Sequence, residues 1–100
     1  MTYFSVLSVT PTSDDWVANY IASVGDIVSR HGGEYLARTA SHEQLEGDAE
    51  MAALRIIIKW LSRADALNFM QDPDYAPHLA ARTKGSTSIH HLIEAKDDLA

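Results

Sequence analysis

The sequence predicts an α+β domain of the ferredoxin-like type, with the element order βαββαβ. Four segments rich in β-branched and aromatic residues alternate with two helical regions in that order. The chain has 100 residues, which is enough for one modest core. Its apolar and charged fractions, 46% and 22%, are those of a globular domain. We therefore predict one domain over residues 1–95, with a four-stranded antiparallel sheet and helices on one face, and a polar tail over residues 96–100.

Each predicted strand is a short apolar run bounded by turn residues. The runs are 3–9, 34–38, 54–60 and 87–93. The polar connection between the second and third strands contains residues 44–46, which could prolong the second strand beyond a bulge. The rest of this connection, up to Glu50, could act as a lid or form a solvated loop.

The helical regions have recognisable ends. Ser13 is the expected N-cap of a long amphipathic helix, and Gly32 is its expected left-handed stop. Gly25, inside this helix, indicates close packing or a kink. Ser62 is the expected N-cap of the second region, which restarts at 72–73 as a cap followed by proline at N1 and ends at Gly85.

The strands do not alternate cleanly between apolar and polar residues. Ile56, Ile57 and Ile58 occupy both faces of the third strand, although the helices can cover only one face. We therefore expect a homodimer formed through the sheet faces, the alternative being an exposed sheet with a few apolar residues. Strict alternation assigns one set of residues to the helix side, including Tyr35, Trp60 and His91, and another to the far side, including Arg38, Arg55 and His90.

Composition and motifs exclude several classes of function. A net charge of −6 makes nucleic acid an unsuitable partner. The absence of cysteine excludes a disulfide framework, a thiolate zinc site and a cysteine nucleophile. The five histidines lack metal-motif spacing, and no nucleotide-binding glycine pattern occurs, so we predict no metal and no cofactor. No apolar run is long enough to cross a membrane, and no signal peptide is evident, so the expected location is the cytoplasm.

Five segments in order resemble a known family. They read GGEYLAR (32–38), LEGD (45–48), RIII (55–58), SRADAL (62–67) and DPDY (72–75). They resemble small bacterial proteins of a domain-of-unknown-function family in the dimeric α/β-barrel superfamily. That superfamily also holds cofactor-independent antibiotic-biosynthesis monooxygenases, muconolactone isomerases and stress-responsive barrel proteins. The resemblance implies two sheets packed face to face. The chain departs from the family pattern at two places. At Trp60 an acidic or aromatic residue followed by an apolar one is more common, and at Thr39-Ala40 small glycines are usual.

Arg38 and Arg55 are the first candidate ligand-binding residues. They are expected on neighbouring strands, where planar guanidinium groups could bind a small acidic or enolic ligand. The alternative is ion pairing with acidic residues of the chain, namely Glu34, Glu46, Asp48 or Glu94.

The remaining candidates are histidines and aromatic residues. Either His90 or His91 could move a proton in a pocket, or could be a structural histidine. The two are adjacent on a strand and so point to opposite faces. Tyr35, Trp60 and Tyr75 could line a pocket between sheet and helices, or could simply form the core.

Three functions remain open from the sequence. The first is a dimeric protein that binds a small aromatic or anionic metabolite beside the sheet. The second is a cofactor-independent monooxygenase or isomerase, in which Arg38 would hold an anion and His90 or His91 would move a proton. The third is a non-enzymatic dimerisation or regulatory module. A closed, ligand-sized cavity on which Arg38 and a histidine converge would favour the first two, and a cavity filled by side chains the third.

Overall fold

The computed structural model describes residues 1–49 and 51–100. Glu50, part of the predicted polar connection, lies outside them. The elements are β1 (Tyr3–Pro11), α1 (Val17–Arg30), β2 (Glu34–Thr39), β3 (Leu54–Trp60), α2 (Arg63–Met70), α3 (Ala76–Lys84) and β4 (Ser86–Glu94). The predicted order is confirmed, with the second helical region divided into α2 and α3.

The four strands form one antiparallel sheet in the order β2-β3-β1-β4. This is the predicted ferredoxin-like arrangement, in which the two central strands are not sequence neighbours. The core lies between one sheet face and the helices. Sheet residues Leu7, Ile58 and Trp60 are buried there against Val24 and Phe69 of the helices. Burial of each such side chain contributes about 1.5–3 kcal/mol to the stability of the folded state.

The faces of β4 are the reverse of the expectation. His90 is paired with Leu7 and faces the helices, whereas His91 is paired with Val6 on the outer face. Both faces of β4 carry apolar residues, so alternation by itself did not identify the inner one. Pairing with β1, where Leu7 is buried, fixes which set faces the core.

A β-bulge in β2 corrects the predicted position of Arg38. Tyr35 is opposite Ile58, but the register shifts before Ala37, which brings Arg38 opposite Ile56 on the helix side. The extra residue of a bulge reverses the alternation that follows it. Residues 44–46 do not prolong the strand, because the chain between β2 and β3 has no regular structure there.

The start of α1 is set by Gly85 rather than by Ser13. The backbone amides of Thr12 and Ser13 and the Trp16 indole N–H all donate to the Gly85 carbonyl. The helix therefore begins at Val17, after Trp16 as N-cap, and the predicted Ser13 cap is wrong. Three donors on one acceptor tie the entrance of α1 to the end of α3.

The other helix ends agree better with the sequence. Ser62 caps α2 by accepting the Asp65 amide, and Gly32 has the expected positive φ of 76°. The second helical region restarts later than the predicted 72–73. The Asp72 carboxylate accepts the Asp74 amide in a turn there, and α3 begins only at Ala76. The prediction of close packing at Gly25 is wrong, because a Cβ there would have nothing within 4 Å.

The turn before α3 is anchored to the end of α1 by ion pairs. Asp72 accepts from His31 at 2.7 Å and from Arg30 at 3.1 Å, and Arg30 also reaches Asp74 at 3.0 Å. The hydrogen bond from His31 is the main reason why the pKa of Asp72 is lowered. Tyr75 follows directly after Asp74, so this cluster also fixes the position of Tyr75.

Candidate functional site

A cavity of about 350 Å³ lies between the sheet and the helices. This volume is at the small end of the range for ligand sites. Its sheet side consists mostly of aliphatic residues of β1 and β3, and its helix side is largely aromatic. The main contributors are Leu7, Val9, Leu54, Ile56, Ile58, Trp16, Tyr20, Tyr35, Phe69 and Tyr75.

One cross-strand row of residues contributes to the cavity from all four strands. Arg38 is paired with Ile56, Ile56 with Leu7, and Leu7 with His90. Strands in a sheet are about 4.8 Å apart, so the Cα atoms at the two ends of this row are separated by about 14 Å. The row therefore has a cationic end, an apolar middle and a polar end.

Arg82 of α3 lines the cavity and is only 4% exposed. Its Nη2 donates to the Tyr75 hydroxyl at 3.5 Å, and its Nε is buried without a hydrogen-bond partner. Within the described part of the chain no carboxylate is ion-paired with it. A guanidinium stays protonated in proteins, so this is a buried positive charge without a counter-charge.

Two tyrosines extend from Arg82 across the helix side. The Tyr75 and Tyr20 hydroxyls are 2.7 Å apart and share a hydrogen bond. The Tyr75 ring stacks on Phe69, with centroids 4.2 Å apart. Burial is the main reason why the pKa of Tyr20 is raised far above its ordinary value, so its hydroxyl stays protonated and can donate a hydrogen bond.

Tyr35 and Arg38 lie together at the β2 edge. The Arg38 guanidinium carbon is 4.1 Å from the centroid of the Tyr35 ring, in a cation–π arrangement. Burial raises the pKa of Tyr35, and the charge of Arg38 opposes this rise. Both residues line the cavity, so the bulge in β2 has brought a cation and a phenol to the same wall.

His90 completes the polar end of the row. Its Nε2 is 2.8 Å from the Ser5 hydroxyl, which also accepts the Trp60 indole N–H at 2.8 Å. Burial, together with the charge of Arg82, lowers the pKa of His90 to about 4. The imidazole is therefore neutral at pH 7, and Ser5 holds its orientation.

The charges around the cavity are all of one sign. Arg38 and Arg82 line it, and no acidic residue does so among the described residues. This contrasts with the chain as a whole, which has 14 acidic and 8 basic residues. A low-dielectric cavity with cationic groups favours an anion.

The predicted site residues divide into two groups. Arg38, Tyr35, Tyr75 and His90 come together around the cavity. The others lie elsewhere: Arg55 and His91 are exposed on the outer sheet face, and the fully buried Trp60 is a core residue behind Ser5.

Arg82 is the functional candidate that the sequence analysis missed. A signal for Arg82 was present. Tyr75, Leu79 and Arg82 are spaced i, i+4, i+7, which is the spacing of one buried helix face. An arginine on such a face marks a buried charge.

Residues 1–49 and 51–100 contain no group of three or more metal-ligating His, Asp or Glu side chains. They also contain no helix that is long and apolar enough to cross a bilayer.

Known structures share this fold at low sequence identity. A protein of unknown function from Rhodopseudomonas palustris, RPA0582, is 16% identical, with a TM-score of 0.78 over 96% of this chain and 83% of its own. A dimeric ferredoxin-like protein of unknown function from Jannaschia sp. CCS1 is 10% identical, with a TM-score of 0.76 over 95% and 100%. SnoaB, a cofactor-independent oxygenase from Streptomyces nogalater, is 20% identical, with a TM-score of 0.58 over 98% and 94%.

Sequence comparison identifies the family. No protein with a curated description matches the chain significantly. The model of one family, described as a domain of unknown function (DUF1330), matches residues 2–95 and so spans nearly the whole sequence. The chain therefore belongs to the DUF1330 family.

Proposed function

We propose that this protein binds a small, flat, anionic molecule in the cavity between its sheet and its helices. The observation that carries this proposal is the buried guanidinium of Arg82, which has no carboxylate partner in the described chain and an unpaired Nε. An uncompensated buried charge destabilises a fold strongly. An anion bound beside Arg82 would compensate that charge.

The shape and chemistry of the walls support a flat ligand. Aromatic rings of Tyr20, Phe69 and Tyr75 enclose one side, and aliphatic side chains such as Leu7 and Ile56 form the other. Because the Tyr20 and Tyr75 hydroxyls share one hydrogen bond, one of the two keeps a proton that it can donate to an oxyanion. The ligand class that fits is an aromatic or conjugated carboxylate, enolate or phenolate. A cavity of about 350 Å³ that side chains do not fill also weighs against a purely structural dimerisation module.

Calorimetric titration with 2-naphthoate, an aromatic monoanion, tests the binding proposal. We expect binding to the wild type, at least tenfold weaker binding to R82Q, and weaker binding of the neutral analogue 2-naphthamide. R63Q is the matched control, because Arg63 is exposed on α2 and has no role in the cavity. Equal affinity of R82Q and wild type, or of amide and carboxylate, would refute the proposal.

A second candidate function is proton-transfer catalysis in the same cavity. It is supported by His90, a neutral imidazole on the cavity wall that is held by Ser5. When Nε2–H donates to Ser5, Nδ1 is free to accept a proton from carbon beside a carbonyl group, and the resulting enolate would pair with Arg82. Return of that proton to another carbon completes an isomerisation.

Oxygenation is the related reaction on such an enolate. It would need dioxygen as co-reactant: one oxygen atom replaces two hydrogens of a CH₂ group as a carbonyl, and the other leaves as water with those hydrogens. The similarity of fold to SnoaB supports considering this chemistry.

Deuterium exchange of the CH₂ protons of phenylpyruvate, followed by NMR, tests the proton abstraction that isomerisation and oxygenation share as their first step. We expect exchange above the spontaneous rate with wild type and H91Q but not with H90Q, and equal rates for all three would refute it.

We also propose that two copies associate through their outer sheet faces. Ile57, Ile89 and Ile93 are 38%, 55% and 48% exposed on that face, next to Phe4 and Val6. Exposed apolar patches of this kind mark association surfaces. The Jannaschia protein of the same fold is described as dimeric, which supports a dimer here.

A further inference from the structure

The cavity has separate cationic groups toward its two sides. Arg38 lies on β2, which is one edge of the sheet. Arg82 lies on α3, which packs against β4, the opposite edge of the sheet. Neither guanidinium is ion-paired with a carboxylate within residues 1–49 and 51–100. One small anion beside Arg82 would leave Arg38 without a counter-charge.

The sheet surface between Arg38 and His90 is apolar. Ile56 and Leu7 occupy the middle of the row that joins Arg38 to His90. Neither side chain offers a hydrogen bond, and both are at least partly buried. A polar group placed over them would lose its hydration without compensation. The middle of a ligand that spans the row must therefore be apolar.

We propose that the natural ligand is an elongated dianion, with an anionic group at each end of a flat apolar body. One anionic group pairs with Arg82 and accepts a hydrogen bond from the neighbouring pair of tyrosines, and the other pairs with Arg38 at the β2 edge. This proposal rests on the proposed binding function and adds the ligand's charge count and charge separation.

The two arginines are expected to contribute differently. Arg82 is buried, so its attraction for an anion is little screened by solvent. Arg38 is exposed at the edge strand, and its ring contact with Tyr35 holds the guanidinium at the cavity wall. A monoanion should therefore depend on Arg82, and only a ligand with a second, distant anionic group should depend on Arg38.

Three naphthalene probes separate these contributions at fixed ionic strength. They are 2-naphthoate, naphthalene-2,6-dicarboxylate with its groups at opposite ends, and naphthalene-2,3-dicarboxylate with its groups side by side. We expect the 2,6-dicarboxylate to bind at least tenfold more tightly than 2-naphthoate, and the 2,3-isomer to lack this gain. R38Q should abolish the gain, so that 2-naphthoate and the 2,6-dicarboxylate bind R38Q with similar affinity, whereas R82Q should weaken all three and R63Q none.

The outcomes distinguish this inference from the function on which it rests. If 2-naphthoate binds through Arg82 but the 2,6-dicarboxylate binds no better, the dianion inference is wrong and the proposed function stands. The same holds if the 2,3-isomer matches the 2,6-isomer, or if R38Q weakens mono- and dicarboxylate equally. If no probe binds to the wild type, both proposals fail.

Discussion

Arg82 and Tyr75 face each other in the interior at 3.5 Å, a distance at which the guanidinium gains little from the phenol. They are seven residues apart on the same buried helix face. The buried cation therefore lies next to a neutral partner, although the chain has 14 acidic residues that could have supplied a carboxylate. This relationship suggests that Arg82 serves a ligand rather than the fold.

Replacement of Arg82 by methionine should stabilise the ligand-free protein. Methionine keeps much of the side-chain volume and removes the uncompensated charge, so we expect the free energy of unfolding to rise by about 1 kcal/mol. The Tm should then rise by about 4–8 °C in calorimetry. R63M, at an exposed position, should change Tm little. A clear loss of stability in R82M would show that Arg82 has a structural role.

The pH dependence of stability should reveal His90. Its pKa is about 4 in the folded chain and about 6.5 when unfolded, so the folded state binds fewer protons between these values. The contribution of His90 to the free energy of unfolding is fully present above pH 6.5 and is lost as the pH falls toward 4. Urea denaturation from pH 7.5 to 4.5 should give a shallower decline for H90Q than for wild type.

His91 provides the matched control for that titration. It lies on the outer face, next to His90 in sequence, and is exposed. H91Q should retain the wild-type decline. Identical slopes for wild type and H90Q would contradict the assignment of a buried neutral imidazole.

Two glycine-to-alanine substitutions should act in opposite directions. A Cβ on Gly85 would overlap the Trp16 indole, so G85A should destabilise the protein by about 1–3 kcal/mol. Gly25 is inside α1 with open space around its missing Cβ, so G25A should stabilise by about 0.4–1 kcal/mol. Chemical denaturation measures both. A neutral G85A would mean that Trp16 can move without cost.

The outer sheet face should control the oligomeric state. I89E places a carboxylate in the exposed apolar patch, and we expect it to convert dimers to monomers in light scattering coupled to size exclusion. I21E is the control, since Ile21 is 60% exposed but lies on α1, in the opposite layer. A wild type that is already monomeric, or a dimeric I89E, would contradict association through this face.

The sequence by itself determined the element order, the class of fold and most of the helix ends. Apolar runs such as 54–60, the Ser62 cap and the Gly32 stop depend on interactions between residues close in the chain, and such signals are legible without a structure. Arg38, Tyr35, Tyr75 and His90 were also identified as candidates from their residue types.

Only the tertiary structure decided which of those candidates share one cavity. The bulge in β2 reverses the face of Arg38, and pairing with β1 turns His90 inward and His91 outward. Burial of Arg82 depends on how α3 packs against β4, and the start of α1 depends on the distant carbonyl of Gly85. These outcomes rest on contacts between residues far apart in sequence, where a one-residue shift of register exchanges the two faces of a strand.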